Sequence, residues 1–445
     1  MTMTPTPNLP SPHLFALAGA VRNRMAPSPT LYINERVNDL WAAGETVYHL
    51  GFGESRFPVH PKIWSALRDN ADKKSYLASL GLLELRAAAA NFYARKLGMP
   101  IQRDQVIIGP GSKPLYFIIQ LALEADLFLP TPSWVSYGPQ ARLIDKPVYQ
   151  IPSRADDGYP LTIDAIDATM RQSANPSKIL LLNSPNNPTG QMFEPTFLGQ
   201  LADYCRTHGV MVLSDEIYSL VPHGHRDHRS MARFYPEGTV VLGGLSKHLS
   251  LGGWRLGTAI LPDTDEGKAL MRALRVIAGE LWSSPTGPVQ YAGIIAYNDE
   301  DDIDAYIDEC AQIHAIRTQY IWQQLVDAGV FCAQPDGGFY CFPTFNQWQE
   351  PLAKLGITTS PQLANYLLDT YQISSLPGTA FGVDETELSL RLASSYLDME
   401  TDAKAEVILA AYRANPDPAA LMAEHHPNTR EAVRRLGEFM ENLQK

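Results

Sequence analysis

Two basic side chains that follow one apolar run have the types and spacing to hold an aldehyde and a phosphate. Residues 240–242 are apolar, two glycines and then Lys247 follow, and Arg255 comes eight residues after Lys247. A lysine amine can form an imine with an aldehyde, and an arginine grips a phosphate through its planar fork. Pyridoxal 5′-phosphate carries both groups, and enzymes hold it on a lysine. The segment therefore predicts a site for this cofactor.

Two further segments carry side chains that suit the cofactor's ring. Asp215, in SDEIY, can pair with a protonated ring nitrogen, and Tyr218 can hydrogen-bond the ring's phenolic oxygen. Asn187, in SPNNPTG, lies in a turn that Pro185 and Pro188 restrict, so its amide can be aimed at the same oxygen. The alternatives are a helix N-cap for Asp215 and a plain Asn-Pro turn for Asn187.

The segment GPGSK predicts an anion site. Gly111, Ser112 and Lys113 precede Pro114, which suits the first position of a helix, and free N–H groups there attract a phosphate. The spacing is not that of a Walker loop. Trp134, in PTPSWVSY, can stack on a pyridine ring, and the alternative is a half-buried core tryptophan.

Two more features concern carboxylates and metals. Arg391, in LRLASS, needs a partner if it is buried, and a substrate carboxylate suits its fork, with a structural ion pair as the alternative.

A metal could be bound by a histidine-rich segment that contains His223, His225 and His228, with Asp227. The glycine and arginines between them favour a solvated loop instead, so no metal is predicted.

The order of elements predicts an α/β protein. From about residue 61 to 298, apolar runs alternate with helical patterns, which indicates a mostly parallel sheet sandwiched by helices. The predicted strands of this part are 105–108, 127–129, 178–182, 210–213, 239–242 and 257–261. The polar motifs follow these strands, so they converge on one sheet edge, where ligands bind in such folds.

The remaining chain predicts a second unit. After about residue 300 a long helical pattern leads into shorter strands at 337–343 and 388–393, which indicates a smaller α+β domain. We therefore predict three parts, with these bounds: an N-terminal arm over 1–27, a small domain over 28–60 and 300–445, and a large cofactor-binding domain over 61–299.

Composition limits the partners. The chain has 445 residues and a formal net charge of −12, which argues against binding nucleic acid. Four cysteines without C-x-x-C spacing predict reduced thiols, and no apolar run reaches membrane length. We predict a cytoplasmic protein that contacts neither nucleic acid nor membrane.

Together, the ordered segments GFGE, Y-x-x-x-x-G-x-x-x-L-R, GPGSK, PSWVSY, NNPTG, DEIY, SK-x7-R and RLASS resemble the fold-type I pyridoxal-phosphate aminotransferases, the aspartate aminotransferase superfamily of class I/II. The likeness runs from about residue 28 to 395. It implies a catalytic set of Lys247, Asp215 and Tyr218, with Lys247 as the covalent anchor and proton shuttle. It implies further cofactor contacts from Asn187, Trp134, Gly111, Ser112, Lys113, Ser246 and Arg255. It implies substrate contacts from Arg391, Gly53, Asn187, Lys113 and Trp134.

The resemblance also implies a homodimer, because Tyr76 resembles a tyrosine that reaches the phosphate across a dimer interface. Two departures stand out. Gly244 replaces the hydroxyl residue that many relatives carry three positions before the lysine. Ser55 and Arg56 replace the proline and aspartate of the usual G-E-P-D-F. Arg56 could pair with Glu54 or a neighbour, or could touch an anionic substrate.

The implied activity is a ping-pong transfer of an amino group between an L-amino acid and a 2-oxo acid. Lys113, together with a Ser-x-Thr pair at Ser28 and Thr30, resembles a bacterial branch that acts on aspartate and prephenate, so we expect an acidic substrate. The alternatives are an amino-acid lyase or oxidase on the same scaffold, and a non-catalytic regulatory module, because fold does not settle the reaction.

Overall fold

A seven-stranded sheet with helices around it forms the larger part of the molecule. The computed structural model describes residues 29–224, 226–298 and 301–444. The strand order across the sheet is β2 (Val106–Gly109), β8 (Gly257–Ile260), β7 (Thr239–Gly244), β6 (Val210–Asp215), β5 (Lys178–Asn183), β3 (Asp126–Pro130) and β4 (Val148–Ile151). The neighbours from β4 to β7 are parallel, whereas β8 runs antiparallel to both β7 and β2. The sheet is therefore mostly parallel.

The strands are numbered in chain order. They are β1 (Tyr48–His49), β2 (Val106–Gly109), β3 (Asp126–Pro130), β4 (Val148–Ile151), β5 (Lys178–Asn183), β6 (Val210–Asp215), β7 (Thr239–Gly244), β8 (Gly257–Ile260), β9 (Tyr340–Cys341), β10 (Ile373–Ser374), β11 (Leu376–Pro377) and β12 (Leu390–Ala393).

The α-helices fall into two groups along the chain. Up to residue 298 they span Pro29–Ala42, Pro61–Asp69, Leu83–Leu97, Ser112–Ala122, Tyr137–Leu143, Ile163–Met170, Pro195–His208, Asp265–Trp282 and Gly287–Asn298. After residue 300 they span Asp302–Asp327, Gln349–Lys354, Ser360–Tyr371, Asp402–Ala414, Pro418–His425 and Pro427–Leu443. Within the described ranges, no helix is both long and apolar enough to cross a bilayer.

The later part of the chain builds two small sheets beside its helices. Strands β11, β12 and β9 form an antiparallel sheet, and β1 pairs in parallel with β10. The long helix Asp302–Asp327 packs into two cores. Its Ile307 shares a core with Val106 of β2, and its Ile321 shares another with Leu390 of β12.

The predicted α/β class, with a mostly parallel sheet and a smaller α+β part, is confirmed. Six of the seven large-sheet strands were predicted within two residues of their observed ends, and β4 is missing from the prediction. The helix after GPGSK begins at Ser112, not at Pro114 as predicted, because Gly111 already turns the chain. The predicted domain bounds stay a prediction, and the predicted arm over 1–27 lies outside the described residues.

Candidate active site

The turns that follow the sheet strands enclose one cavity of about 360 Å³. A cavity of this size suits a small-molecule ligand. It brings together predicted residues that are far apart in the chain, namely Gly53, Ser112, Lys113, Trp134, Asn187, Asp215, Tyr218, Ser246, Lys247, Arg255 and Arg391. Further lining residues are Phe52, Glu54, Tyr137, Asn183, Ile217, Gly252 and Tyr340. Gly111 and Tyr76 are absent from the described lining.

Lys247 follows β7 and turns its amine into this cavity. Its Nζ donates a 3.0 Å hydrogen bond to the carbonyl of Gly53. Burial lowers the pKa of Lys247 to about 8, and the positive charge of Arg391 adds to the effect, whereas the carboxylate of Glu54 opposes it. A substantial fraction of this amine is therefore neutral near physiological pH and able to act as nucleophile or base.

Asp215 ends β6, with its side chain buried. Its Oδ2 accepts a 2.6 Å hydrogen bond from the hydroxyl of Tyr137, and its Oδ1 accepts from the backbone N–H of Ile217 at 3.1 Å. Burial raises the pKa of Asp215, and these two bonds oppose the rise. A buried carboxylate of this kind favours a cationic partner, such as a protonated ring nitrogen.

Arg391 lies on β12 and is buried. Its Nη2 donates to the carbonyl of Gly51 at 2.6 Å, and its Nη1 donates to Oδ1 of Asn187 at 3.2 Å. No carboxylate pairs with it in the part of the chain that the structure describes, and its Nε has no hydrogen-bond partner there. This arrangement counts against the structural ion pair and leaves a buried cation that faces the cavity.

Tyr218 and Asn187, the two predicted partners of a phenolic oxygen, both reach the cavity lining. The Tyr218 hydroxyl lies 2.7 Å from the hydroxyl of Tyr340. The backbone N–H of Asn187 donates to Oδ1 of Asn183 at 2.7 Å, and Nδ2 of Asn183 donates to the carbonyl of Asp215 at 3.0 Å. These bonds fix the turn after β5 to the end of β6.

The GPGSK turn forms a cradle that fits a phosphate. Gly111 has φ +98°, and a Cβ there would overlap the guanidinium of Arg255. The bare Cα thus lets the arginine fork lie against the start of helix Ser112–Ala122, whose first N–H groups have no partner within the helix. The free N–H groups of the helix start and the guanidinium of Arg255 together have the chemistry of an anion site.

Lys113 and Trp134 contact each other at the mouth of the cavity. Nζ of Lys113 lies 4.8 Å from the Trp134 ring centroid, and the tryptophan is half-buried. Partial desolvation, and then the nearby Arg255, lower the pKa of Lys113. The lysine therefore presents a positive charge beside an aromatic wall, and no carboxylate within the described ranges pairs with it.

The structure explains the departure at Gly244. Its φ is +146°, and a Cβ would come within 2.7 Å of the Leu256 carbonyl oxygen. No larger residue fits this backbone without a shift. The backbone N–H of Gly244 instead donates to the hydroxyl of Tyr93 at 3.0 Å.

Both residues of the second departure, Ser55 and Arg56, have local partners. Nη1 of Arg56 pairs with Oε2 of Glu54 at 3.0 Å, which is the first alternative that the sequence left open. The Ser55 hydroxyl lies 2.6 Å from that of Ser250 and 2.9 Å from Nε2 of His314. Arg56 thus holds Glu54 at the cavity wall.

The histidine loop differs from its prediction. His223 is buried, and its ring nitrogens each lie 2.9 Å from a carbonyl, of Pro335 and of Gly338. The prediction of a solvated loop is wrong for His223, because those carbonyls hold the ring inside, and it is wrong for the side chain of His228, which is 7% exposed. Among the described residues no His, Cys, Asp or Glu group could hold a metal ion, and His225 lies outside them.

Two predicted features are not among the described residues that line this cavity. Tyr76 is 89% exposed, and its predicted reach across a dimer interface stays a prediction. Ser28 and the side chain of Thr30 lie outside the described residues, so the Ser-x-Thr pair stays a prediction.

Of the seven lining residues that the sequence analysis did not predict, four carry polar side chains: Glu54, Tyr137, Asn183 and Tyr340. Tyr137 is the last residue of the quoted PSWVSY motif, so it was within reach of the motif that identified Trp134. Asn183 ends β5 just before SPNNPTG. Glu54 is the last residue of the quoted GFGE motif, next to the predicted Gly53. Tyr340 carries no local signal, because its contacts come from residues far along the chain.

Comparison with known proteins places the chain in a family. Residues 45–407 match the family described as aminotransferase class I and II. An aspartate aminotransferase of Geobacillus stearothermophilus is 33% identical over 388 residues, which cover 85% of this chain and 94% of the relative. A probable aspartate/prephenate aminotransferase of Aquifex aeolicus is 29% identical over 81% of this chain and 90% of its own length.

Solved structures agree on the fold. The aspartate aminotransferase from Thermus thermophilus with maleate superposes with a TM-score of 0.79 at 23% identity, over 96% of this chain and 100% of that one. An aromatic aminotransferase from Pyrococcus horikoshii gives a TM-score of 0.74 at 24% identity, over 93% and 99%. The chain belongs to the class I and II aminotransferases. The predicted family and the predicted aminotransferase activity are confirmed.

Proposed function

We propose that this aminotransferase binds pyridoxal 5′-phosphate covalently on Lys247 and moves an amino group between an acidic L-amino acid and a 2-oxo acid. The observation that carries the proposal is the convergence of four charged groups on one cavity: the amine of Lys247, the carboxylate of Asp215 and the guanidiniums of Arg255 and Arg391. Their types match the aldehyde, ring nitrogen and phosphate of the cofactor and the α-carboxylate of the substrate.

The residues present fit this cofactor. The cradle of Gly111, Ser112 and Arg255 would hold its phosphate, and Ser246 adds a hydroxyl at the lining. The buried carboxylate of Asp215 would hold the protonated ring nitrogen. Trp134 offers an aromatic face, and Lys113 beside it offers a positive charge. When bound, the cofactor would supply an electron-withdrawing ring that stabilises negative charge developing at the substrate's α-carbon.

The protein's own groups have distinct tasks in this scheme. Arg391 binds the α-carboxylate with its remaining donor capacity and so orients the substrate. The neutral amine of Lys247 takes the proton from the substrate's α-carbon and would deliver it to the C4′ carbon of the cofactor. Tyr137 holds Asp215 in place. The hydroxyl of Tyr218 and the amide of Asn187 hydrogen-bond the cofactor's phenolic oxygen.

Lys113 supports an acidic substrate. Its ammonium is at the cavity mouth, has no acidic partner in the described chain and is held against Trp134, so a distal carboxylate of the substrate would neutralise it. The relatives named above as aspartate aminotransferases favour the same class.

A homodimer would complete the site. Tyr76 is 89% exposed, and the neighbouring Leu83 and Leu281 are 52% and 54% exposed. Trp282 donates to the carbonyl of Ser79, so the end of helix Asp265–Trp282 lies beside the Tyr76 segment. Exposed apolar residues of this kind are typical of an interface. In the proposed dimer, Tyr76 reaches the phosphate of the other subunit.

Subunit complementation tests the dimer. Tyr76→Ala and Lys247→Ala homodimers, unfolded and refolded together, form mixed dimers in which one site has both native residues. We expect activity to reappear on mixing, well above that of Tyr76→Ala alone. A mixture no more active than its parts would refute the shared site.

We further propose a cytoplasmic location, since all four cysteines are free and buried, as is typical of a reducing compartment.

The main test is chemical. The protein is expressed with the cofactor, reduced with borohydride and digested, and we expect the added mass on the peptide that contains Lys247. Amino acids are then screened by loss of the visible band, with Lys247→Ala as the control. Stoichiometric 2-oxo acid together with an aminated acceptor supports transfer. Ammonia release or oxygen uptake without an acceptor would indicate a lyase or oxidase instead.

A further inference from the structure

The Tyr340 hydroxyl forms a buried pair with the Tyr218 hydroxyl at the cavity wall. The two oxygens are 2.7 Å apart, and both side chains are almost fully buried, at 1% and 3% exposure. Tyr340 belongs to β9, which the sheet ladder pairs with Ala393 of β12. Its ring lies under the guanidinium of Arg391, at 4.8 Å. The hydroxyl of Tyr340 is therefore held in place from two sides.

A count of protons defines two states of this pair. One hydroxyl proton lies between the two oxygens, and the other must point elsewhere. If Tyr218 donates to Tyr340, then Tyr340 donates to the carbonyl of Gly53, which lies 3.4 Å away. If Tyr340 donates to Tyr218, then the Tyr218 proton points to other acceptors in the cavity.

The surroundings favour the second state. The contact from Tyr340 to Gly53 is long, and the Gly53 carbonyl already accepts a 3.0 Å bond from Lys247. The backbone also places Gly53 against this hydroxyl, because a Cβ there would overlap it. Burial keeps the pKa of both tyrosines raised, so both remain donors at neutral pH.

We propose that Tyr340 is a positioning residue whose hydroxyl donates to Tyr218 and thereby directs the Tyr218 proton into the cavity, toward the oxygen of a bound ligand. The donated bond also polarises the Tyr218 hydroxyl and makes it a stronger donor. The inference rests on the proposed function only for the identity of that ligand, the phenolic oxygen of the cofactor. With the cofactor bound, a stronger donor at Tyr218 would stabilise the cofactor's phenolate and would thereby lower the pKa of its imine nitrogen.

The first test is a pH titration of the visible band of the cofactor-loaded protein. In Tyr340→Phe we expect the pKa of the band to rise by about half a pH unit, in the range of one weakened hydrogen bond. Tyr218→Phe should raise it further, and Tyr340→Phe added to Tyr218→Phe should then have no effect. The control is Tyr297→Phe, which loses a buried hydroxyl bonded to Thr258 at 3.0 Å but is absent from the described lining.

The inference is overturned if the pKa of the band is unchanged in Tyr340→Phe. It is also overturned if Tyr340→Phe raises this pKa equally when Tyr218 is already Phe. A more acidic fluorinated tyrosine at position 340 is a second variant that keeps the side-chain shape and should lower the pKa of the band. The second readout needs no cofactor: the fluorine NMR resonance of a fluorinated tyrosine at position 218 should move in Tyr340→Phe and stay in Tyr297→Phe. A resonance that stays in both refutes the pairing even if the proposed function fails.

Discussion

The hydroxyl of Tyr137 donates a 2.6 Å hydrogen bond to Oδ2 of Asp215, deep in the cavity wall. Burial raises the pKa of Tyr137 well above its usual value, so the hydroxyl stays protonated and remains a donor. A bond of this kind to a charged acceptor favours the carboxylate form and opposes the effect of burial on Asp215. Tyr137 therefore helps to keep Asp215 negative, which is the state that a protonated ring nitrogen needs.

Removing this bond should weaken cofactor binding. For Tyr137→Phe we expect a dissociation constant for pyridoxal 5′-phosphate raised roughly ten- to a hundredfold, the size expected for a hydrogen bond to a charged group. Equilibrium dialysis with the cofactor-free protein measures it. The matched control is Tyr116→Phe, since the Tyr116 ring packs edge-on against Tyr137 at 5.2 Å but its hydroxyl has no partner in the described chain. Equal losses in both variants would contradict the role of the bond.

The sequence predicted the parts of the site that follow strands. Asp215 and Lys247 come at or just after the ends of β6 and β7, and the apolar runs that form those strands are continuous. Because parallel strands end at the same edge of the sheet, the apolar run alone predicts where the side chain that follows it lies. Strand β4 (Val148–Ile151) was missed because it lies at the sheet edge, is only partly buried and alternates poorly.

Other contacts in the site cannot be predicted from a single short stretch of the sequence. Tyr218 and Tyr340 are 122 residues apart, and their contact depends on how the small antiparallel sheet packs against the large one. The same holds for Arg56, because the sequence left open whether it pairs with Glu54 or touches a substrate, and only the structure shows the pair with Glu54. Tyr76 shows a further limit, since its proposed target is on a second subunit.

The lowered pKa of Lys247 predicts a pH profile for cofactor attachment. Only the neutral amine attacks an aldehyde, and with a pKa of about 8 its fraction rises about tenfold per pH unit below that value and levels off above it. We expect the rate at which the visible band forms, on mixing cofactor-free protein with pyridoxal 5′-phosphate, to follow this curve. Lys247→Ala should form no stable band. A rate that keeps rising to pH 10 would show an ordinary exposed lysine instead.

Lys113 predicts a selectivity for acidic substrates. Lys113→Gln removes the charge at the cavity mouth, so kcat/KM for aspartate or glutamate should fall roughly tenfold or more, as for one lost ion pair with a charged hydrogen bond. The value for alanine should change little, because Arg391 still binds the α-carboxylate. Lys354→Gln, on an exposed helix end, serves as the charge control. A parallel loss for all amino acids would place Lys113 at the cofactor rather than at the substrate.

The buried carboxyl of Glu216 predicts a stability that depends on pH. Its Oε1 accepts 2.8 Å hydrogen bonds from the hydroxyls of Ser214 and Ser230, and its Oε2 lies 3.9 Å from Nε2 of His228. Burial raises the pKa of Glu216 from 4.5 to about 7, although the serine bonds oppose the rise. The folded state therefore holds this proton more tightly than the unfolded state, and the stabilisation is complete below about pH 4.5 and lost as the pH rises through 7.

Glu216→Gln keeps the two serine bonds and mimics the protonated acid at every pH. We expect the variant and the wild-type protein to melt at similar temperatures at pH 5. At pH 8 the variant should melt higher, by roughly 3 °C, since the wild-type protein then carries a buried charge. Glu350→Gln, at a fully exposed position, controls for the loss of one negative charge. A variant that melts higher by the same amount at pH 5 and at pH 8 would mean that Glu216 is ionised throughout, and that the serine hydroxyls and His228 outweigh its burial.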